Sequence, residues 1–225
     1  MNNNVVIAID GPAGSGKSTT ARRVAEKLKF IYLDTGAMYR SVTLLGLRMG
    51  IEPADADSLS EIAEKMDLKF EPDNGKQRVI VNGMDVSDDI RSPEVTKAVS
   101  EVSAHAGVRR ILVERQQQFA ESENLVAEGR DTTSVVFPDA FLKVYLVASV
   151  EERARRRVRD YERLGKNTTI EDQIADIERR DTYDSSRNVS PLTQTSDSEL
   201  IDTTDMTIDD QVEAVIKLYR KRAEC

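Results

Sequence analysis

Val5-Val6-Ile7-Ala8-Ile9-Asp10-Gly11-Pro12-Ala13-Gly14-Ser15-Gly16-Lys17-Ser18 is the stretch on which the fold turns. Its opening is apolar without alternation and runs into turn formers, the pattern of a strand buried on both faces. Gly11 to Ser18 then satisfies Gly, four residues, Gly-Lys-Ser/Thr. Glycines in that pattern let the backbone wrap a phosphate with successive N–H groups pointing inward. The next helix offers its N-terminal donors and the positive end of its dipole to the same charge. Ala21, Val24, Ala25 and Leu28 supply that helix, at amphipathic spacing. The loop residues Gly11, Pro12, Ala13, Gly14, Ser15, Gly16, Lys17, Ser18 and Thr19 are therefore expected to bind ATP. Lys17 would reach the β- and γ-phosphates, and the Ser18 hydroxyl would ligate Mg²⁺. Asp10 leaves two readings open: a contact to a metal-bound water, or a cap on the turn.

Working outward, Phe30 to Leu33, Leu125 to Ala127, Leu142 to Val147 and Leu200 to Asp202 read as four more short strands. Helices are expected at 37–49 with Gly50 as the stop, at 58–66, from Pro93 with Ser92 as cap, and at 108–120 after an interruption at Gly107. Further helices are expected from Val150, at 171–181 and from near Thr207. Strands alternating with helices predict an α/β protein of three α/β/α layers around a five-stranded parallel sheet. One region departs from the alternation. Leu68 to Glu71, a turn at Asn74-Gly75 and Arg78 to Val81 read as a β-hairpin, with Asn82-Gly83 as a further turn.

The composition narrows the function classes. The chain has 225 residues, 39% hydrophobic and 32% charged, with no apolar run long enough to span a membrane. Met1-Asn2-Asn3-Asn4 lacks the basic region of a signal peptide, so a cytoplasmic location is expected. The lone cysteine, Cys225, rules out an intrachain disulfide, and one His with one Cys cannot build a four-ligand zinc site. A net charge of −8 offers nothing global to nucleic acid. Arg153, Arg155, Arg156, Arg157, Arg159 and Arg163 nevertheless crowd one stretch, followed by Arg179, Arg180 and Arg187. Two readings stand for them: a site for a small anionic ligand, or a solvated helix face laced with Glu151, Glu152, Asp160 and Glu162.

Two more segments fall at strand ends, where ligands of such sheets bind. Asp34-Thr35-Gly36-Ala37-Met38-Tyr39-Arg40 is either a helix start or a clamp in which Arg40 grips a phosphate. Glu128-Gly129-Arg130-Asp131 sets a cation and an acceptor side by side, as a surface ion pair or as part of a site. The guanine-reading Asn-Lys-X-Asp of GTPases is missing from the sequence.

Taken in order, these segments resemble the bacterial cytidylate kinase family of P-loop nucleoside monophosphate kinases. The resemblance is carried by residues 9–18, Leu33 to Arg40, Gly129-Arg130-Asp131 and Val135-Val136-Phe137-Pro138-Asp139-Ala140. Glu151-Glu152-Arg153-Ala154 and Arg180-Asp181 through Arg187-Asn188 extend it over essentially the whole chain. It implies ATP-dependent phosphorylation of CMP and dCMP by a monomer, in one P-loop domain over 1–225. The implied core is about 1–36, 106–150 and 185–225, with a CMP-binding insertion at about 37–105 and a helical lid at about 151–184. On matching positions it implies that Thr35, Arg40, Arg130 and Arg187 hold the CMP phosphate. Ser100, Arg109 and Asp131 would read cytosine, and Arg180 with Asp184 would reach the ribose. Arg153 and Arg157 would cover ATP, and Lys17, Arg130 and Arg187 would be the catalytic cations. Another acceptor (AMP, UMP or shikimate) and a nucleotide-sensing module without an acceptor remain the rival readings. The family pattern has Gly where Thr133 stands, which would restrict the backbone beside Asp131, above all if φ is positive there. His105 reads as an ordinary helix-end residue, and Asn167-Thr168-Thr169 as a glycosylation pattern without meaning in a cytosolic chain.

Overall fold

The computed structural model describes residues 4–73, 76–163 and 165–224. The expected Asn74-Gly75 turn, Met1-Asn2-Asn3 and Cys225 lie outside the described residues. In chain order the elements are β1 (Val6–Asp10), α1 (Lys17–Leu28), β2 (Ile31–Asp34), α2 (Thr35–Arg48), α3 (Ala56–Lys65), β3 (Leu68–Asp73), β4 (Lys76–Val81) and β5 (Met84–Asp85). After a 3₁₀ turn at Asp89–Arg91 come α4 (Pro93–Val102), α5 (Ala106–Ser122) and β6 (Leu125–Gly129). A single π turn (Thr132–Val136) leads to β7 (Leu142–Val147), α6 (Val150–Arg163), α7 (Ile170–Ser186), β8 (Glu199–Asp202) and α8 (Ile208–Ala223). Two compact units divide the chain, Met1–Leu33 with Ala120–Cys225, and Asp34–Phe119.

The first unit holds the expected five-stranded sheet, in the order β2-β6-β1-β7-β8. β1 pairs in parallel with β6, Val6 opposite Leu125 through Asp10 opposite Gly129, and with β7, Ile7 opposite Leu142. Every residue of β1 and β6 is buried, which explains why both read as unbroken apolar runs. One face of the sheet packs Ile7, Ile9, Val126, Val144 and Leu146 with Ala21 and Val24 of α1 and Val212, Val215 and Ile216 of α8. α8 begins where Thr207 and Asp210 form a reciprocal capping box. The parallel register has a direct consequence for the site. It sets the tips of β1 and β6 side by side, so the loop after Asp10 and the segment after Gly129 start from neighbouring points.

Several boundaries differ from expectation. α7 starts at Ile170 and continues past Asp181 to Ser186, because Thr169 caps it by accepting from the Asp172 N–H and acidic residues fill its first turn. Gly107 lies inside α5 rather than before it; a Cβ there would meet Ser60 Oγ at 2.3 Å. In the second unit, β3 and β4 form the expected antiparallel pair, and β5, only two residues long, adds an edge strand opposite Ile80 and Val81. α2 begins at Thr35, capped by the Asp34 carboxylate, which accepts from the Ala37 N–H at 2.9 Å. Met38, Val42, Leu59, Ile90, Val95 and Leu112 are buried in this unit.

Candidate active site

At the tip of β1 the loop turns on Gly14 and Gly16, with φ of 79° and 91°, the left-handed region that only glycine enters freely. A side chain at Gly16 would also run into Gln211 Oε1, 2.7 Å from the Cβ position. The loop's carbonyls are held from outside. Arg153 donates to Ala13 O (3.2 Å), Arg156 to Gly14 O (3.3 Å) and Thr203 Oγ1 to Ser15 O (2.9 Å). Ser15 N–H closes the turn onto Pro12 O at 3.4 Å, and with these C=O groups engaged outward the loop is built to present N–H groups to an anion. Lys17 is 7% exposed, and its Nζ donates to Pro12 O at 3.4 Å and lies 3.9 Å from Glu128 Oε2. Ser18 Oγ donates to Glu128 Oε1 at 2.7 Å, and Tyr32 OH to the same oxygen at 3.3 Å. Thr19 is exposed.

The arginine-rich helix resolves into different jobs. Arg153, 4% exposed, is bound to the loop, to Ala148 O and to Asp181 (2.6 Å). Arg156 reaches the loop and Thr203, and pairs with Glu152. Burial raises the Glu152 pKa, but Arg156 and its neighbours outweigh this and hold the carboxyl below its usual value. Arg157, expected to cover ATP with Arg153, stacks over the Tyr161 ring at 5.4 Å. Arg155, Arg159 and Arg163 are exposed and pair with Glu152 or Asp160, as a solvated face would. Arg156, Thr203 and Glu128 escape sequence reasoning as contributors. Glu128 carries a weak signal, a carboxylate at a strand end; nothing marks Thr203.

Asp10 is fully buried, and its two open readings are settled by geometry. Its Oδ1 accepts from the Thr132 N–H (3.0 Å) and Oγ1 (2.5 Å), and its Oδ2 from the Thr133 N–H (2.8 Å) and Oγ1 (2.6 Å). A carboxylate has about four acceptor sites, so these donors fill it and leave nothing for a metal-bound water. Asp10 is thus a tie across two strand tips. The strain that a positive φ would bring to Thr133 does not arise, since the three positive-φ non-glycine residues among those described are Lys29, Asn82 and Ser190.

Five expected site residues, Arg130, Asp131, Arg180, Asp184 and Arg187, gather within the same unit. Arg130 Nε donates to Asp184 Oδ2 at 2.9 Å, Arg180 Nε lies 3.9 Å from that oxygen, and Arg187 lies 4.0 Å from Asp131 Oδ1. Asp131 and Asp184 are 4% and 3% exposed. Burial works against the Arg130 charge, but Asp184, Glu128 and Asp10 outweigh it and raise the pKa. Burial likewise opposes the Asp184 charge, and Arg130, Arg180 and Arg187 overcome it to lower that pKa. Arg180 goes the other way: burial and the Arg130 charge lower it to about 10. The cluster carries more cation than anion, which suits an added phosphate.

The remaining four expected residues belong to the second unit. Thr35 is buried at the start of α2, and Arg40 donates to Ile90 O (3.1 Å) and Thr96 Oγ1 (2.9 Å). Arg109 donates to Ser103 O at 3.1 Å and lies over the Tyr39 ring at 5.3 Å. Ser100 is half-buried in α4. His105, as expected, makes a structural contact, with Nε2 2.7 Å from Pro53 O.

A phosphate-ready loop on the tip of a central parallel strand makes this a P-loop α/β protein. A crystal structure of an uncharacterised protein from Eubacterium ventriosum shares the fold, with a TM-score of 0.55 and 13% identity, covering 96% of this chain and 99% of that one. The particular family is set by sequence: the chain belongs to the cytidylate kinases, whose family profile matches residues 7–221. A cytidylate kinase of Limosilactobacillus reuteri is 47% identical over 216 residues, 96% of this chain and 95% of that protein. One of Desulforamulus reducens is 48% identical over 221 residues, 98% of this chain and 99% of that protein.

Proposed function

We propose that the protein transfers the γ-phosphoryl group of ATP to CMP, and to dCMP, yielding the diphosphates for pyrimidine nucleotide metabolism. The observation that supports this most is the braced loop with buried Lys17, in a chain that matches cytidylate kinases almost end to end. Loop N–H groups and Lys17 bind the ATP phosphates. The acceptor oxygen is already ionised, so no general base is needed; the residues' work is to hold two phosphates and neutralise charge. Arg130 and Arg187, with Thr35 and Arg40, hold the CMP phosphate, and Arg180 and Asp184 take the ribose. Asp131, with Ser100 and Arg109, reads the base. A carboxylate accepts from the exocyclic amine of cytosine and repels the carbonyl that uracil places there.

Mg²⁺ fits the residues present: the Ser18 hydroxyl and Glu128 carboxylate, 2.7 Å apart, are the hard oxygen donors it prefers. When bound it would offset the negative charge of the ATP phosphates. A lid at about 151–184 keeps water from the transferred group. We read the protein as a cytoplasmic monomer.

The test is a coupled ADP-release assay with ATP, Mg²⁺ and a panel of ribo- and deoxyribonucleoside monophosphates. CMP and dCMP should turn over fastest, and Lys17→Ala should abolish transfer while retaining native circular dichroism. Equal or faster turnover of AMP or UMP, or near-normal turnover by Lys17→Ala, would overturn the proposal.

A further inference from the structure

We infer that Thr133 is a positioning residue for the acceptor nucleotide, acting through the buried Asp10 carboxylate. The inference rests on the reading of Asp131 as the base-contacting group. Asp10 closes β1 and Asp131 follows the tip of β6, whose last residue, Gly129, stands opposite Asp10. Beyond that register, the Asp131 segment is tied back to β1 by the four donors of Thr132 and Thr133. Both threonines and Asp10 are fully buried, so no water competes for these bonds. The other side of the segment is closed locally: the Asp131 carbonyl accepts from the Val135 and Val136 N–H groups, and the Thr132 carbonyl from the Phe137 N–H. The π turn is therefore a rigid body anchored at Asp10, and Asp131 is carried at its leading end.

Of the four donors, the two N–H groups come with any residue; the two hydroxyls come only from this choice of side chains. A glycine at 133, as the family pattern has, supplies no hydroxyl for Asp10 Oδ2. This chain thus ties the segment that carries Asp131 partly through side-chain hydroxyls. The donor side is insulated from the change. The ATP loop has its own braces, from Arg153, Arg156 and Thr203 onto its carbonyls. Loosening the tie should be felt by the acceptor before ATP.

The experiment compares Thr133→Val, which keeps the branched shape and removes the hydroxyl, with Thr133→Ser, which restores it. For Thr133→Val, the KM for CMP should rise about tenfold and the CMP-over-UMP preference in kcat/KM should fall about tenfold. Its KM for ATP should stay within about twofold of the parent. Thr133→Ser should return all three to within about twofold of the parent. A purely structural tie would lower thermal stability in Thr133→Val without this split. That result, or equal impairment of the valine and serine variants, overturns the inference. If Thr133→Val does not fold, Thr133→Gly removes the same hydroxyl without added bulk and carries the same expected and overturning outcomes. Asp131→Asn separates this inference from the reading beneath it. An unchanged CMP-over-UMP preference in that variant would sink the base contact, and the KM for CMP in Thr133→Val would then decide the positioning role alone.

Discussion

Replacing Asp184 by Asn removes the carboxylate on which the arginine cluster depends. Arg130 Nε and Arg180 Nε lie 2.9 Å and 3.9 Å from the same Asp184 oxygen, with side chains 17%, 23% and 5% exposed for Arg130, Arg180 and Asp184. At an effective dielectric of about 20, charges about 4 Å apart interact by about 4 kcal/mol. Removing one partner of a buried pair typically costs about 3–5 kcal/mol, since the other charge is left without compensation. Asn keeps an oxygen that accepts from Arg130, which places the loss at the lower end, about 3 kcal/mol. For a chain of this size each kcal/mol moves the melting temperature by about 2–4 °C, so Asp184→Asn should melt about 6–12 °C below the parent. Differential scanning calorimetry at neutral pH measures the shift. A double-mutant cycle with Arg130→Met should return a coupling of about 2 kcal/mol or more. A shift under about 2 °C with a native circular dichroism spectrum would refute the reasoning, because it would mean the guanidiniums do not need this carboxylate.

Acid should unfold the protein partly through the same group. The folded pKa of Asp184 is below its ordinary 3.8, so its contribution is complete above that value and disappears as pH falls through 3.8 toward the folded pKa. Urea melts between pH 6 and 2.5 should show that slope, and Asp184→Asn should flatten it. Arg156→Ala unties Gly14 O and should raise the KM for ATP about fivefold while leaving the KM for CMP within about twofold, measured by initial rates. Thr207→Ala removes half of the capping box of α8 and should cost about 1 kcal/mol, seen as a fall of about 2–4 °C in melting temperature.

Most of the architecture was legible because the responsible signals are local. Val5 to Asp10 declares a doubly buried strand by being apolar throughout, and Gly11 to Ser18 declares its loop by spacing alone. β5 was not legible: two residues cannot show a period, and it exists only because Ile80 and Val81 offer it a partner. In the site, the P-loop and the Arg130-Asp131 pair were readable from motif and strand end. Asp10's role was not, since its four donors come from Thr132 and Thr133, more than a hundred residues away, across a strand pairing that no window reveals. The same holds for Arg156 and Thr203. The resemblance pairs Arg153 with Arg157 over ATP, and no pattern in the sequence marks Arg156 as the second donor to the loop's carbonyls.

The strand order carries a consequence for how the chain is made. β1 leaves the ribosome well before its two neighbours, β6 and β7, which begin at Leu125 and Leu142. At about 5–20 residues per second, the seed strand of the sheet waits on the order of ten seconds for its first partner. The unit Asp34–Phe119 is a single uninterrupted segment synthesised within that wait. Its hairpin and helices are complete before β1 has anything to pair with. The apolar run Val5 to Ile9 therefore stays without its strand partners through that whole interval of translation.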